Sequence, residues 1–350
     1  MSAHRSSSTT FLKSMAYLQV IGIILVVLGH SLHMYPDGDH GHTTLLFRMI
    51  YSFHMPLFLF ASGFLMVFTE RARTGSGNSS AWRFFKSKIL RLLLPFAVLT
   101  LVTFVPRTMM SGIADDPVEL SVSSLWLSLT DSGHMVIPYF WFIQASFLLL
   151  CFNYIILWLT GTFRHDSGLV YLLIVALFTL LPFLPVEYPT FFSTGLAVGL
   201  GVYFATGMLY ARFSAATDRF IRWSSPVTFC IFAALWATLF FAREWGAGHI
   251  LCGMSGIAMC LSMSNILEKN KIKWLDHLAG ANYIIFLLSW YCNVIFQQVL
   301  HHFVVLPWWV HTLLSLISGI YIPWLAYRYL QRHKTSRWRR LTAFLLGQKI

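Results

Sequence analysis

Apolar residues form ten long runs along the sequence, and short polar or charged segments separate them. A run of about 20 apolar residues matches the roughly 30 Å hydrocarbon core of a bilayer. Backbone groups in lipid must bond within a helix or a closed barrel, and runs this continuous favour helices. The pattern predicts an all-α polytopic membrane helix bundle with about ten spans, near 15–34, 46–68, 89–106, 137–160, 168–184, 191–211, 225–242, 248–267, 279–300 and 308–329.

The composition excludes an ordinary soluble domain. Hydrophobic residues make up 57% of the chain, charged residues 11%, and the mean hydropathy is +0.66, whereas soluble domains carry about a quarter charged residues. The five cysteines lie within apolar runs and form no CxxC motif. Neither a disulfide framework nor a zinc site is therefore predicted.

The positive charges predict the orientation of the spans. Of the 25 lysines and arginines, all but Arg48, Arg107 and Arg243 fall on the side that holds the N-terminus. Because cytoplasmic loops carry such an excess, both termini are predicted to be cytoplasmic. The net charge of +12 then reflects topology rather than nucleic-acid binding. We expect one membrane domain over 1–350, with a cytoplasmic segment 1–14, a bundle 15–330 and a basic tail 331–350.

Two shorter stretches predict helices that lie on the membrane surface. VELSVSSLWLSL (118–129) is amphipathic, and RWRRLTAFLLGQKI (337–350) is basic. Amphipathic helices bury one face at the membrane interface, and basic segments are attracted to anionic lipid. Membrane lipids are thus predicted partners of the chain.

The first two spans carry histidines among apolar residues: His30 and His33 in the first, His54 in the second. Ionisable residues inside spans are functional candidates, because burying them is costly. His30 lies 17 residues after Lys13, about 25 Å along a helix, which places it in the outer half of the membrane. The competing interpretation is structural: each histidine bonds a neighbour, and His54 satisfies a backbone carbonyl that Pro56 leaves free.

A metal site is a second alternative for these side chains, since imidazole binds zinc, copper and iron well. The predicted spans contain no carboxylate, and no HxxxH or HxxHH motif occurs. We therefore predict no metal. The ligands would have come from His30, His33, His40, His42 and His54.

The densest basic cluster precedes the third span and consists of Arg83, Lys86, Lys88 and Arg91. Ordinary anchoring at the cytoplasmic surface explains many such clusters. However, Lys88 and Arg91 are three residues apart and would share a helix face. A guanidinium beside an ammonium suits the phosphates of a nucleotide-like donor. The cluster is accordingly a predicted donor-binding site.

Several other polar or small residues are candidates to line a tunnel or an acceptor site. Gln19 precedes His30 by 11 residues, about three helical turns, so both face the same side. Ser62 and its neighbour Gly63 are small enough for close helix packing, which is the simpler interpretation. Aromatic residues at a span end usually belong to the interfacial belt. The complete set of candidates is Gln19, His33, Ser62, Trp141 and Gln144.

Four sequence blocks together resemble the acyltransferase 3 family of integral-membrane acyltransferases, nearest its fucose 4-O-acetylase-like branch. The blocks are IGIILVVLGHS (21–31), SFHMPLFLFASGFLM (52–66), FFKSKILRLLLPF (84–96) and IPYFWFIQASFLL (137–149). By this resemblance, His30 matches the essential histidine and His54, Ser62 and Gly63 match the second block. Lys88-x-x-Arg91 stands where the family often has Arg-x-x-Arg, thought to meet the donor.

The chain departs from the family pattern at three positions. Gln19 and Ala16 stand where the family commonly has arginine and aspartate, and Ser289 stands where a histidine is frequent. These departures reduce the charge near the expected donor path. They keep open the alternative of a catalytically silent member of the family.

The resemblance implies transfer of an acetyl group from cytoplasmic acetyl-CoA, a co-substrate rather than a bound cofactor, to a carbohydrate hydroxyl. Histidine, with a pKa near 6.5 in the free state, suits a general base; it can also carry the acetyl group as an acyl-imidazole. His54 would orient His30, and Trp141 would stack on the sugar. We expect a multi-pass protein of the bacterial inner membrane. A glycan exporter or flippase is the alternative from another class, although no internal repeat typical of transporters is evident.

Overall fold

A computed structural model describes residues 2–33, 41–75, 77, 80–109, 117–165, 167–223, 225–242, 248–270, 272–332 and 337–348. The first nine helices are α1 Ser2–His33, α2 Gly41–Tyr51, α3 His54–Gly75, α4 Ala81–Lys88, α5 Leu94–Met109, α6 Val122–Thr130, α7 Trp141–Leu159, α8 Thr162–His165 and α9 Gly168–Leu180. The remaining helices are α10 Thr194–Trp223, α11 Ser225–Phe241, α12 Gly248–Lys269, α13 Lys273–Ala279, α14 Asn282–Asn293, α15 Leu300–Phe303, α16 Trp308–Arg332 and α17 Arg337–Leu345.

The chain is an all-α membrane protein, as the sequence predicts. Among the described residues, seven helical stretches are long and apolar enough to span a bilayer: Leu12–Leu32, Leu45–Thr74, Ala81–Met109, Pro138–Leu159, Thr194–Phe213, Gly248–Lys269 and Trp308–Arg332. Three shorter apolar stretches, Gly168–Phe183, Ser225–Phe241 and Asn282–Phe296, occupy the other predicted positions. Within the described residues, extended pairing is limited to a bridge between Asp131 and Phe191.

The second predicted span is interrupted in the structure. α2 ends at Tyr51 and α3 begins at His54, so a turn at Ser52 and Phe53 separates them. Pro56 explains the break, because proline has no N–H and its ring clashes with the carbonyl four residues earlier, here that of Ser52. The Ser52 hydroxyl instead donates to Met49 O at 2.7 Å and accepts the Trp236 indole N–H at 3.0 Å.

The helix that follows this break continues further than predicted. α3 runs to Gly75 and therefore includes Glu70, whose side chain is buried. The expectation of no carboxylate within the spans was wrong at this end, because the predicted span stopped at 68. Arg73, one turn later, donates to the Glu70 carboxylate, and this pairing lets a carboxylate remain buried.

Two π-helical segments interrupt the α-helical pattern. Ile89–Leu93 joins α4 to α5, and Val294–Val299 follows directly on α14. In a π-helix each N–H bonds the carbonyl five residues back, and such segments occur frequently at functional sites.

Both predicted surface stretches form helices. α6 begins after Ser121, whose hydroxyl accepts the Ser124 N–H at 3.1 Å as an N-cap. α17 covers most of the basic stretch, and Gly347 beyond it has a positive φ of 66°.

The chain divides into two compact units. The first unit comprises Met1–Ala61 and Phe213–Arg332, and the second comprises Ser62–Arg212 and His333–Ile350. α3 and α10 therefore each contribute residues to both units.

Helix α1 is the centre of the first unit, where it packs on α2, α12, α13, α14 and α16. Ile23, Val26 and Val27 of α1 form a buried core with Ala281 and Ile285. At Gly22 a side chain would come within 2.8 Å of Leu57 and Phe58, so glycine lets α3 approach closely. Apolar burial along α1 thus fixes its orientation in this unit.

A polar contact holds the beginning of α1 against α13. The Tyr17 hydroxyl donates to Asp276 at 2.7 Å, and the Lys13 ammonium lies 3.4 Å from the same carboxylate. The Tyr17 hydrogen bond, followed by the charge of Lys13, holds the pKa of Asp276 below its usual range.

Aromatic packing organises the second unit around α7. Phe84 of α4 stacks on Tyr154 of α7 with ring centroids 3.9 Å apart. On another side, Phe152 meets Phe178 of α9 edge to face at 5.9 Å. Because the Phe84 ring is buried against Tyr154, the face of the basic helix α4 that carries this ring packs on α7. This contact fixes the position of α4.

Candidate functional site

His30 lies near the end of α1 and is 4% exposed. Successive residues on an α-helix are about 100° apart, so Gly29, His30 and Ser31 point in three directions. A side chain at Gly29 would lie 2.9 Å from the Tyr51 ring. Ser31 faces α16, where its hydroxyl lies 3.1 Å from that of Ser315. His30 therefore projects between the α2 side and the α16 side of the first unit.

His54 begins α3 at the break and is 1% exposed. Its Nδ1 lies 2.9 Å from Ile50 O, and its ring centroid is 4.4 Å from that of Tyr51. Nδ1 therefore bonds a carbonyl at the break, but it is that of Ile50 and not the Ser52 carbonyl that Pro56 leaves free. Nε2 is buried and has no hydrogen-bond partner among the described residues. An unmade bond of this kind costs about 1–3 kcal/mol, so Nε2 is the atom of His54 with capacity for a ligand.

A group of small polar residues lies where α1, α14 and α16 meet. Ser315 donates to Asn293 Oδ1 at 3.0 Å and lies next to Ser31. Gly319, one turn after Ser315, is so close to the other helices that a Cβ would lie 2.7 Å from Val27 and 3.0 Å from Asn293 Oδ1. We call this group, with Ser289, the three-helix polar cluster: Ser31, Ser289, Asn293, Ser315 and Gly319.

Sequence reasoning singled out only Ser289 from this cluster, and only as a departure from the family pattern. The available signal was spacing: Ser289 and Asn293 are four apart on α14, as are Ser315 and Gly319 on α16. Residues four apart share a helix face, so each pair predicts a polar or small patch.

The predicted donor-binding residues lie at the junction of α4 and the π-helical segment. Lys88 ends α4, partly buried, with its ammonium 5.2 Å from the centre of the Phe84 ring. Arg91 is exposed in the π-helical turn, and Arg83 and Lys86 are exposed on α4. The three-residue spacing of Lys88 and Arg91 therefore spans the change from an α-helix to a π-helix.

The C-terminal segment packs against the same junction. A Cβ at Gly347 would lie 2.7 Å from Arg91 O and 2.8 Å from Pro95 Cγ. With a φ of 66°, this position favours glycine on both steric and conformational grounds. The backbone that carries Arg91 is therefore held by α17 and the turn after it.

Gln144 is fully buried, and protein groups use both ends of its amide. Its Nε2 donates to Leu129 O at 2.9 Å, and its Oε1 accepts the Ser193 hydroxyl at 2.8 Å. Nearby, Thr190 donates to Asp131 at 2.9 Å. We call these five residues the cap cluster; it joins the end of α6 to α7 and to the start of α10.

Asp131 in the cap cluster carries a perturbed carboxyl group. Partial burial alone would raise its pKa, but the Gly133 N–H at 2.7 Å, the Thr190 hydroxyl and the His134 ring outweigh it. The pKa of Asp131 is consequently held below its ordinary value.

The other sequence candidates are less informative. Gln19 is half-buried on α1, Ser62 is half-buried on α3, and Trp141 is half-buried at the start of α7. A side chain at Gly63 would overlap the Phe204 carbonyl of α10, so this glycine serves close helix packing. The side chain of His33 lies outside the described part of the chain.

In the part of the chain that the structure describes, no three His, Cys, Asp or Glu side chains converge as metal ligands would. The side chains of His40 and His42, two of the candidates for such a site, lie outside the described residues.

Comparison with known proteins agrees with the fold and with the sequence blocks. The profile of a family described as an acyltransferase domain matches residues 12–328. The chain therefore belongs to the acyltransferase 3 family, a class of membrane acyltransferases.

One relative is the nodulation protein NolL of Sinorhizobium fredii (strain NBRC 101917 / NGR234), which is 27% identical over 240 residues. The alignment covers 66% of this chain and 56% of NolL, so the chain matches little more than half of that protein's length. No solved structure shows a significant match.

Proposed function

We propose that this protein transfers an acetyl group from acetyl-CoA to a hydroxyl of a carbohydrate, in a bacterial inner membrane. The main support is the burial of His30 in a family of acyltransferases, since a buried imidazole can act as a base near neutral pH. A sugar hydroxyl is a weak nucleophile while protonated, and a base in hydrogen-bond reach accelerates its attack about 10²- to 10⁴-fold.

Two routes use His30. In the first, His30 takes the proton of the acceptor hydroxyl as that oxygen attacks the thioester carbonyl. In the second, His30 accepts the acetyl group and passes it on to the acceptor. In both, the CoA thiolate leaves and is protonated. His54 is proposed to position His30, since its ring packs on Tyr51 beside Gly29.

Lys88 and Arg91, with Arg83 and Lys86, are the proposed contacts to the donor phosphates. This role is supported by charge and by the packing that holds the Arg91 backbone against Gly347. Arg91 is exposed, as a residue that meets a soluble donor must be. The acceptor is proposed to meet Trp141 through stacking, which aromatic rings offer to the apolar faces of sugars.

The test uses purified protein, labelled acetyl-CoA and candidate glycan acceptors. Wild type should release CoA and label the acceptor, and His30→Gln should lower kcat by at least about 10²-fold with normal expression. Arg91→Gln should instead raise the KM for acetyl-CoA, with exposed Arg337→Gln as the matched control. Acceptor movement without CoA release would indicate the exporter alternative, and no release with any acceptor would indicate a silent family member.

A further inference from the structure

The buried amide of Asn293 in the three-helix polar cluster has an unused donor. Its side chain is 0% exposed, and Ser315 donates to its Oδ1 at 3.0 Å. Its Nδ2 is buried and has no hydrogen-bond partner among the described residues. With its oxygen bonded to Ser315, the amide is held in one orientation before any ligand arrives.

Ser289 adds a second unused group on the same helix face. It lies one turn before Asn293 on α14, is 1% exposed, and its Oγ is buried without a partner in the described structure. A Cβ built on Gly319 would lie 3.0 Å from Asn293 Oδ1 and 3.7 Å from Ser289 Cβ. Both side chains therefore border the same small region of α16.

The backbone changes its geometry at this point. Asn293 is the last residue of α14, and the π-helical segment Val294–Val299 begins immediately after it. π-helical insertions cost stability and are frequent at functional sites. The end of α14 thus combines an irregular backbone with two unmade side-chain hydrogen bonds.

His30 lies on the neighbouring part of α1. It directly precedes Ser31, which contacts Ser315, and it lies three residues after Val27, which packs against Gly319. His30 and Asn293 consequently belong to one helix junction within the first unit.

We propose that Asn293 Nδ2, with the Ser289 hydroxyl, binds the carbonyl oxygen of the acetyl thioester; this inference rests on the proposed function. When the acceptor oxygen or the His30 imidazole bonds to the carbonyl carbon, the C=O electron pair moves to oxygen as an oxyanion. The pair returns as the C–S bond breaks and the thiolate leaves. In the direct route the thiolate takes the proton that His30 removed from the acceptor hydroxyl. In the acyl-imidazole route it takes the proton of the acylated imidazolium, and the ring later takes the acceptor's proton as the acceptor oxygen displaces it. Preorganised donors accelerate acyl transfer because they act where this charge develops.

The structure explains why this site suits the transition state. The amide is held by Ser315 rather than by a flexible loop, so little reorganisation accompanies the reaction. Both routes through His30 pass through an oxyanion, so the proposal applies to either.

The test compares Asn293→Leu with Asn265→Leu in the full-length protein. Asn265 is also a buried asparagine of the first unit whose amide atoms have no partner within the described ranges, but it lies on α12 outside the cluster. Asn293→Leu should lower kcat for CoA release about 10²- to 10³-fold, with the KM for acetyl-CoA within threefold of wild type and the thermal midpoint near that of Asn265→Leu. Ser289→Ala and Ser315→Ala should each lower kcat by about tenfold.

A kcat for Asn293→Leu within threefold of Asn265→Leu would overturn the proposal, as would a loss that appears only as a raised KM. If Asn293→Leu does not fold, an unchanged kcat in both serine variants overturns it. Failure of the proposed function is distinct, since wild type itself would then release no CoA.

Discussion

Two fully buried amides, Gln144 and Asn293, are used differently in the two units. In the cap cluster both ends of Gln144 bond protein groups, at 2.9 and 2.8 Å. In the three-helix polar cluster the oxygen of Asn293 is bonded at 3.0 Å, and its nitrogen has no partner in the described part of the chain. Both side chains are fully buried and both end in a primary amide, so neither property identifies a site by itself. The difference lies in the unmade hydrogen bond of Asn293 Nδ2, which costs free energy and leaves this donor available to a ligand.

Two buried histidines of the first unit repeat this comparison. His311 is 0% exposed, with Nδ1 3.0 Å from Phe296 O and Nε2 within reach of both Val304 O and the Leu306 N–H. His54 bonds through Nδ1, and its Nε2 has no hydrogen-bond partner in the residues that the structure describes. His311 therefore holds the loop before α16 in place through hydrogen bonds, whereas Nε2 of His54 is available to bind a ligand.

The largest expected effect separates these two histidines. His54→Phe keeps the ring against Tyr51 and removes both nitrogens, so we expect kcat to fall about 10²-fold at a nearly unchanged thermal midpoint. His311→Phe is the matched control. It should lose about 1–3 kcal/mol of stability, because the two backbone groups that the ring can bond at one time lose their partner, while kcat per folded molecule is kept. Equal kcat losses in both variants would contradict the different roles assigned to His54 and His311.

The second prediction tests the cap cluster. Gln144→Leu leaves Leu129 O and the Ser193 hydroxyl unsatisfied, and Ser193 already has a strained φ of 55°. The variant should lose about 1–3 kcal/mol of stability, seen as a lower thermal midpoint in detergent. The KM for the acceptor should be measured in parallel. A raised KM at an unchanged midpoint would indicate that Gln144 binds the acceptor, and would contradict the purely structural role assigned to its amide.

The smallest expected effect is acid sensitivity of the same cluster. Since the pKa of Asp131 is lowered in the folded state, its contribution is complete above the unfolded value of about 3.9 and is lost as pH falls through the folded value. The contribution should be below about 1 kcal/mol. Thermal midpoints between pH 6 and pH 3 should fall more steeply for wild type than for Asp131→Asn; parallel curves would contradict this.

Hydropathy was sufficient to locate the helices, because a span in lipid must be a long apolar run whatever it packs against. The predicted span 168–184 corresponds to the apolar stretch Gly168–Phe183, for example. Local interruptions were less visible. Pro56 was noted, yet the turn at Ser52 and Phe53 was not predicted, and the π-helical segments have no evident local sequence signature.

Residues of the proposed site could be predicted only where one residue type carried the signal. A histidine among apolar residues stands out, so the sequence made His30 and His54 candidates. Asn293 and Ser315 were not, because single small polar residues are ordinary in membrane helices. Their pairing depends on the register of α14 against α16, which the pattern within either helix does not contain.

Gly347 has a practical consequence for experiments on the basic C-terminal helix. Because this residue lies against the Arg91 carbonyl and Pro95, deleting 337–348 would uncover a backbone segment that carries a proposed donor contact. A truncation intended to measure attraction to anionic vesicles would then also change the affinity for the nucleotide-bearing substrate. Neutralising the exposed Arg337 and Arg340 with glutamine, while the glycine is retained, separates the two effects.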